Sequence, residues 1–318
     1  MISNALLETK TMAVRIHSFG GPESLALEEV VLPAPGPGEV LVRVRAAGVN
    51  PADWKMREGL CGELPMPRTL GADFSGTIEA LGPEVSDFSP GQPVFGHSDF
   101  GGAFAGLTIA PATSLVAKPS PLGDIEAAAT PLCGLAAWQA LNDVVAIHAG
   151  QRILIHGGAG GVGMFAVQLA VRQGAFVIAT SSARNLTFLR QLGAQQVIDH
   201  NSTPFEDVAK NIDVVLDLVG GETQERSWKV LKSGGRLVST VSLPSQNKAF
   251  LCGVRAHLLQ VRTSADELAM LGDLVANGEI RVLVEKALPW FRAPEALEMN
   301  RCGHARGKIV LTFDPALN

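Results

Sequence analysis

Apolar and polar positions fall into two textures along the chain. From Met12 to Ala117 they come in short runs broken by glycine and proline. Met12-Ala13-Val14-Arg15-Ile16 alternates and leads to the turn Gly20-Gly21-Pro22, after which Leu25-Ala26-Leu27-Glu28-Glu29-Val30 follows. Pro33, Pro35 and Pro37 then keep the chain extended, because each fixes its own φ and disfavours the α region for its predecessor. Glu39 to Ala46 alternates as a half-buried strand does. Gly48-Val49-Asn50-Pro51-Ala52-Asp53-Trp54-Lys55 breaks that pattern and predicts a short helical turn, with Asn50 held out of the α region by Pro51. Strand texture returns at 71–82, 90–96, 107–109 and 115–119. These runs predict a β-rich domain, a partly open barrel.

From Asp124 the pattern changes. Ala127-Ala128-Ala129 and the run from Gly134 to Leu141 read as helix. After them, short β-branched runs alternate with amphipathic ones. Strands are predicted at Ile153–Ile155, Phe176–Ala179, Gln196–Asp199, Asp213–Val219, Gly235–Val241 and Leu258–Val261, with helices between them. Such alternation makes an α/β domain with a doubly wound parallel sheet. The tail, Arg281–Glu285 and Lys308–Phe313, is again strand-like and is expected to rejoin the first domain. The plan is a β-rich domain from residues 1–123 and 266–318, with residues 124–265 as an inserted parallel-sheet domain. Ligand binding is expected in a cleft between the two.

The chemistry concentrates where the first parallel strand ends. Gly158-x-Gly160-x-x-Gly163 follows Ile153-Leu154-Ile155 at once and opens an apolar-faced helix that stops at Gly174. Glycines at this spacing let a backbone approach a pyrophosphate, and the helix start offers unpaired N–H groups. Gly158, Ala159, Gly160, Gly161, Val162 and Gly163 are therefore candidate cofactor contacts. A site for NAD usually has an acid at the end of the second strand. Here the strand runs into Thr180-Ser181-Ser182-Ala183-Arg184. Two hydroxyls and a guanidinium suit a 2′-phosphate, so NADPH is expected at Ser181, Ser182 and Arg184. Ser182 as a plain helix cap and Arg184 as a solvated side chain are the competing reading.

With 318 residues the chain has room for two cores. A net charge of -5 without basic blocks argues against a nucleic-acid or membrane-surface partner. Neither a secretory signal nor a membrane-spanning run is evident. Four scattered cysteines, Cys61, Cys133, Cys252 and Cys302, form no metal-ligand spacing and point to a reduced, cytoplasmic compartment. The chain contains no tyrosine, which removes a common general acid. His156 reads as a core histidine, His97 and Asp99 as loop residues, and Cys133 as a small buried hydrophobe.

Several segments resemble the zinc-independent quinone oxidoreductases of the medium-chain dehydrogenase/reductase superfamily, the branch that includes zeta-crystallin and the plant alkenal/enone reductases. They are the Gly48–Lys55 segment, Gly71-Ala72-Asp73-Phe74-Ser75-Gly76, Thr130-Pro131-Leu132, Ile155–Gly163, Asp217-Leu218-Val219-Gly220-Gly221 and Gly303–Val310. The resemblance spans nearly the whole chain. It implies a GroES-like catalytic domain, a Rossmann cofactor domain, a homodimer, and NADPH-dependent reduction of quinones or α,β-unsaturated carbonyls. It further implies cofactor contacts from Thr130, Asp217, Val219, Val241 and Lys308, although Lys308 at a strand start also reads as a simple cap. Asn50 and Lys55 are the candidate catalytic residues, with a solvated Lys55 as the alternative. Zinc-using relatives have Cys at the position of Asn50 and Gly-His-Glu at Gly71-Ala72-Asp73, so no metal site is expected. An enoyl-thioester reductase and a non-catalytic NADPH-binding redox sensor are the alternative functions.

Overall fold

A computed structural model describes residues 9–98, 101–303 and 305–317, so Asp99 and His304 lie outside the described residues. The chain forms two compact units, Met1–Pro131 with Thr263–Ala276 and Val284–Asn318, and Leu132–Arg262 with Asn277–Leu283.

In the first unit, a GroES-like domain, the strand Glu39–Val49 is central. It pairs antiparallel with Lys308–Thr312, Asp73–Leu81 and Leu107–Pro111. Asp73–Leu81 in turn pairs with Pro93–His97, and Val284–Pro289 lies parallel to Lys308–Thr312. A three-stranded sheet is built on Thr9–Ile16. Val42, Leu70, Phe74, Phe104, Leu115 and Ile309 share the core.

Register brings chemistry to one end of this sheet. Ile309 pairs with Val49, Gly48 with Asp73, and Asp73 with His97. Lys308, Asn50, Asp73 and His97 are therefore drawn together, although they are far apart in sequence. The helix Asp124–Ala129 packs on the same strands, and a Cβ on Gly48 would stand 2.3 Å from the Ala128 carbonyl oxygen. That close packing puts the helix in the first unit, so the division falls after Pro131 rather than at residue 124.

The second unit is a Rossmann domain. Its six-stranded parallel sheet has the order Gln196–Asp199, Phe176–Ser181, Arg152–Ile155, Ile212–Asp217, Leu231–Ser239, Arg255–Leu258. Leu154, Ile178, Val215, Leu237, Phe205 and Trp228 belong to one buried cluster. The edge strand is Arg255–Leu258, upstream of the apolar run at 258–261. Within it only Ala256 is buried, while Arg255, His257 and Leu258 are exposed. The tail strand likewise starts at Val284 rather than Arg281. The Arg281 backbone is captured instead by the second unit: its N–H donates to Gln168 Oε1 at 2.8 Å and its carbonyl accepts from Nε2 at 2.9 Å. Among the described residues, no helix is long and apolar enough to cross a membrane.

Candidate cofactor and acceptor sites

In the second unit, the strand Arg152–Ile155 delivers the chain to the glycine turn. Gly157 has φ +69, a left-handed value that favours glycine. A Cβ on Gly163 would stand 2.3 Å from the Gly157 carbonyl oxygen, so helix and turn close on each other only with glycine there. The helix Gly161–Arg172 then starts behind Gly160 without a side-chain cap and without an acid in its first turn. Open N–H groups at the positive end of a twelve-residue helix fit a pyrophosphate. Gly158, Ala159, Gly161 and Val162 complete that turn.

At the next strand end Ser181 is buried, Ser182 half-buried and Arg184 exposed. The Asn185 amide donates to Ser181 Oγ at 3.2 Å and to Ser182 Oγ at 3.4 Å, fixing both hydroxyls. Ser182 precedes a short 3-10 turn but makes no side-chain cap bond. Asp217 is buried and organises its loop. Its Oδ1 accepts from the N–H groups of Val219 at 3.1 Å and Gly220 at 2.8 Å, and its Oδ2 accepts from Gln224 and from Ser239 Oγ, each at 2.9 Å. Val219 and Val241, 51% and 40% exposed, stand open at the ends of neighbouring strands. His156 is a core residue between Thr180 Oγ1 and Ser227 Oγ, at 3.1 and 3.0 Å, and burial lowers its pKa to about 4. Cys133 is buried.

In the first unit, Asn50 caps the helix Pro51–Arg57. Its N–H donates to Asp53 Oδ2 at 2.7 Å, and its side-chain amide donates to Asp73 Oδ2 at 2.8 Å. Lys308 is buried, and its Nζ donates to the Val49 carbonyl at 2.9 Å and to Asn50 Oδ1 at 2.5 Å. The same ammonium is 3.7 Å from Asp73 Oδ2. His97 Nδ1 meets Asp73 Oδ1 at 2.7 Å. His97 is thus no surface-loop residue but the buried end of the strand Pro93–His97. Burial pushes the Asp73 carboxyl up, yet the His97 hydrogen bond, the Lys308 charge and the Asn50 amide together hold it below its ordinary range. Burial pushes Asp53 up to about 7, against the Asn50 hydrogen bond and with help from the negative Asp73.

Lys55, half-buried on the same helix, points its Nζ over the Trp54 ring, 5.7 Å from the centroid. The cation bonded to Asn50 is Lys308. Thr130 is buried, and its hydroxyl donates to the Glu126 carbonyl at 2.7 Å. Asp53, Asp73 and His97 are the members that sequence reasoning left out. Gly71-Ala72-Asp73 marked the segment, but only strand register joins it to His97.

The donor set does not suit zinc. Asn50 supplies an amide, Asp73 is engaged by His97, Asn50 and Lys308, and a buried ammonium would repel a dication. Among the described residues no group of three His, Cys, Asp or Glu side chains could hold a metal ion.

Two family profiles match, "Alcohol dehydrogenase GroES-like domain" over residues 36–120 and "Zinc-binding dehydrogenase" over residues 192–311. The zebrafish mitochondrial NAD(P)H oxidoreductase RTN4IP1 is 32% identical over 87% of this chain and 84% of its own length. The quinone oxidoreductase of Coxiella burnetii superposes with a TM-score of 0.90 at 34% identity, over 96% of this chain and all of that one. The Escherichia coli quinone oxidoreductase complexed with NADPH gives 0.88 at 27% identity, over 95% and 99% of the two chains. Glycine turn, GroES-like sheet and these likenesses agree that the chain is an oxidoreductase using a nicotinamide cofactor, and that it belongs to the quinone oxidoreductase branch of the medium-chain dehydrogenase/reductase superfamily.

Proposed function

We propose that the protein is an NADPH-dependent reductase of quinones or of the C=C bond of α,β-unsaturated carbonyls, working without zinc. The observation that carries this reading is the strand end beside the glycine turn. There Ser181, Ser182 and Arg184 stand where an acid would serve the 2′-hydroxyl of NAD. NADPH, when bound, supplies the hydride. The turn from Gly158 to Gly163 holds the pyrophosphate, and Ser181, Ser182 and Arg184 take the 2′-phosphate. Val219, on a loop braced by Asp217, and Val241, beyond the neighbouring strand, offer apolar contact. Asn50 orients the acceptor oxygen, and Lys55 adds a cation as negative charge develops there. The chain has no tyrosine to serve as general acid, and in this reading water or Lys55 gives the proton.

The test is NADPH oxidation, followed by absorbance, against a panel of quinones, enones and an enoyl thioester. Turnover of quinone or enone is expected. Turnover of the thioester alone would move the protein to the enoyl-thioester reductases. Binding of NADPH with no turnover would leave a redox sensor. Zinc independence predicts full activity after chelator treatment, and stoichiometric zinc lost together with activity would refute it. The free cysteines suit a reducing compartment, and cell fractionation decides between the cytoplasm and the mitochondrial location of the RTN4IP1 relative.

A further inference from the structure

The buried cluster in the first unit does more than supply polarity. A primary carboxamide has nearly the same shape at its oxygen and nitrogen ends, so packing alone does not choose between its two orientations. At Asn50 the two ends face opposite charges. Oδ1 accepts from the Lys308 ammonium at 2.5 Å, and Nδ2 donates to the Asp73 carboxylate at 2.8 Å. A flipped amide would aim its N–H groups at an ammonium and its oxygen at a carboxylate. Both contacts are repulsive, and Asn50, Asp73 and Lys308 are all buried away from screening water. His97 bonds to the other oxygen of Asp73 at 2.7 Å, which turns Oδ2 toward Asn50. Backbone holds the frame. Val49, the register partner of Ile309, gives its carbonyl to Lys308, and Asn50 N–H is held by Asp53.

We propose that Lys308 and Asp73 are positioning residues that lock the Asn50 carboxamide in one orientation, with His97 aiming Asp73. The lock gives the buried lysine a purpose other than contact with the cofactor. It rests on the reading that Asn50 faces the acceptor. It serves reduction by presenting the same amide edge at every turnover, without reorganisation as charge develops.

Lys308→Met and Asp73→Asn are expected each to lower kcat for enone reduction roughly 10- to 100-fold, as for a displaced oxyanion donor. The Kd for NADPH, from fluorescence titration, should stay within about twofold, because the charges act on the amide and not on the cofactor. Lys308→Arg keeps the charge and should retain most activity. Lys308→Met alone strands a buried carboxylate, so the double variant Asp73→Asn/Lys308→Met, which leaves neither charge, is made beside it.

A second readout does not depend on turnover. In 1H–15N spectra the wild-type Asn50 side-chain proton that faces Asp73 should be protected from solvent exchange and shifted well away from its geminal partner. In the double variant that protection and that separation should fall to those of an ordinary asparagine. Unchanged Asn50 signals would overturn the lock, and so would a loss confined to NADPH affinity. If the wild type reduces nothing in the panel, the functional reading fails while the spectra still decide the lock.

Discussion

Burial separates the two lysines near Asn50. Lys308 is 3% exposed and held by three oxygen neighbours, so it has no freedom to follow a substrate. Lys55 leans on the face of Trp54, a weak tether it can leave as an oxyanion forms. Lys55→Met keeps much of the stem and removes the charge. Steady-state kinetics should show kcat/KM for an enone falling roughly 10- to 1000-fold, with NADPH affinity unchanged. Unaltered enone turnover would leave Lys55 a surface residue. In the second unit, Arg184 is the only charged group of its trio. Arg184→Ala is expected to weaken NADPH binding by about 1.5–3 kcal/mol and to leave NADH binding nearly unchanged. Titration showing equal losses for both cofactors would remove Arg184 from the 2′-phosphate. At this scale the glycines, Ser181, Ser182 and Arg184 were readable as a linear motif. The residues gathered around Asn50 were not, because Asp73, His97 and Lys308 are contributed by three strands far apart in sequence.

The helix Pro51–Arg57 shows how an element and a titration are joined. Asp53 accepts from the Asn50 and Gly71 N–H groups, at 2.7 and 3.2 Å, and so ties the helix start to the next strand's approach. Its pKa in the fold is about 7, raised chiefly by burial. An acid that binds its proton more tightly folded than unfolded stabilises the fold while protonated. That contribution is complete below about pH 4, near the unfolded pKa, and is lost as pH rises through about 7. Asp73, held low, acts in the opposite sense and loses its contribution as pH falls. Denaturation midpoints of the wild type, measured against Asp53→Asn, should therefore decline between about pH 4 and 7. A difference constant with pH would mean that Asp53 is ionised in the fold throughout that range. Most elements were legible from hydrophobic period, since strands and helices expose different repeats to water. Of the two misplaced ones, at 258–261 and 281–285, the second lies where a tertiary contact overrules local pattern, Gln168 holding the Arg281 backbone.

For the whole molecule, the family and one surface point to self-association. The edge strand Arg255–Leu258 is paired on one side only, and just before it Phe250 and Leu251 are 85% and 81% exposed. An open strand edge beside large exposed hydrophobes suits pairing with a second copy. Sedimentation at micromolar concentration should give a dimer, and Phe250→Glu with Leu251→Glu should shift it to monomer; a wild-type monomer would contradict the prediction. The sequence by itself determined the two fold types, the nicotinamide cofactor and the superfamily. Each of those is encoded by residues close together in the chain, in period, glycine spacing or contiguous segments. Only the tertiary structure decided what surrounds Asn50 and that Arg281 joins the second unit. Strand register joins residues some 20 to 260 positions apart, and no local pattern records that Ile309 pairs with Val49 or Asp73 with His97. What surrounds Asn50 is therefore a property of the paired strands, carried by residues that apart read as the start of a helical turn, an acid in a strand-like run, a loop histidine and a strand-start lysine.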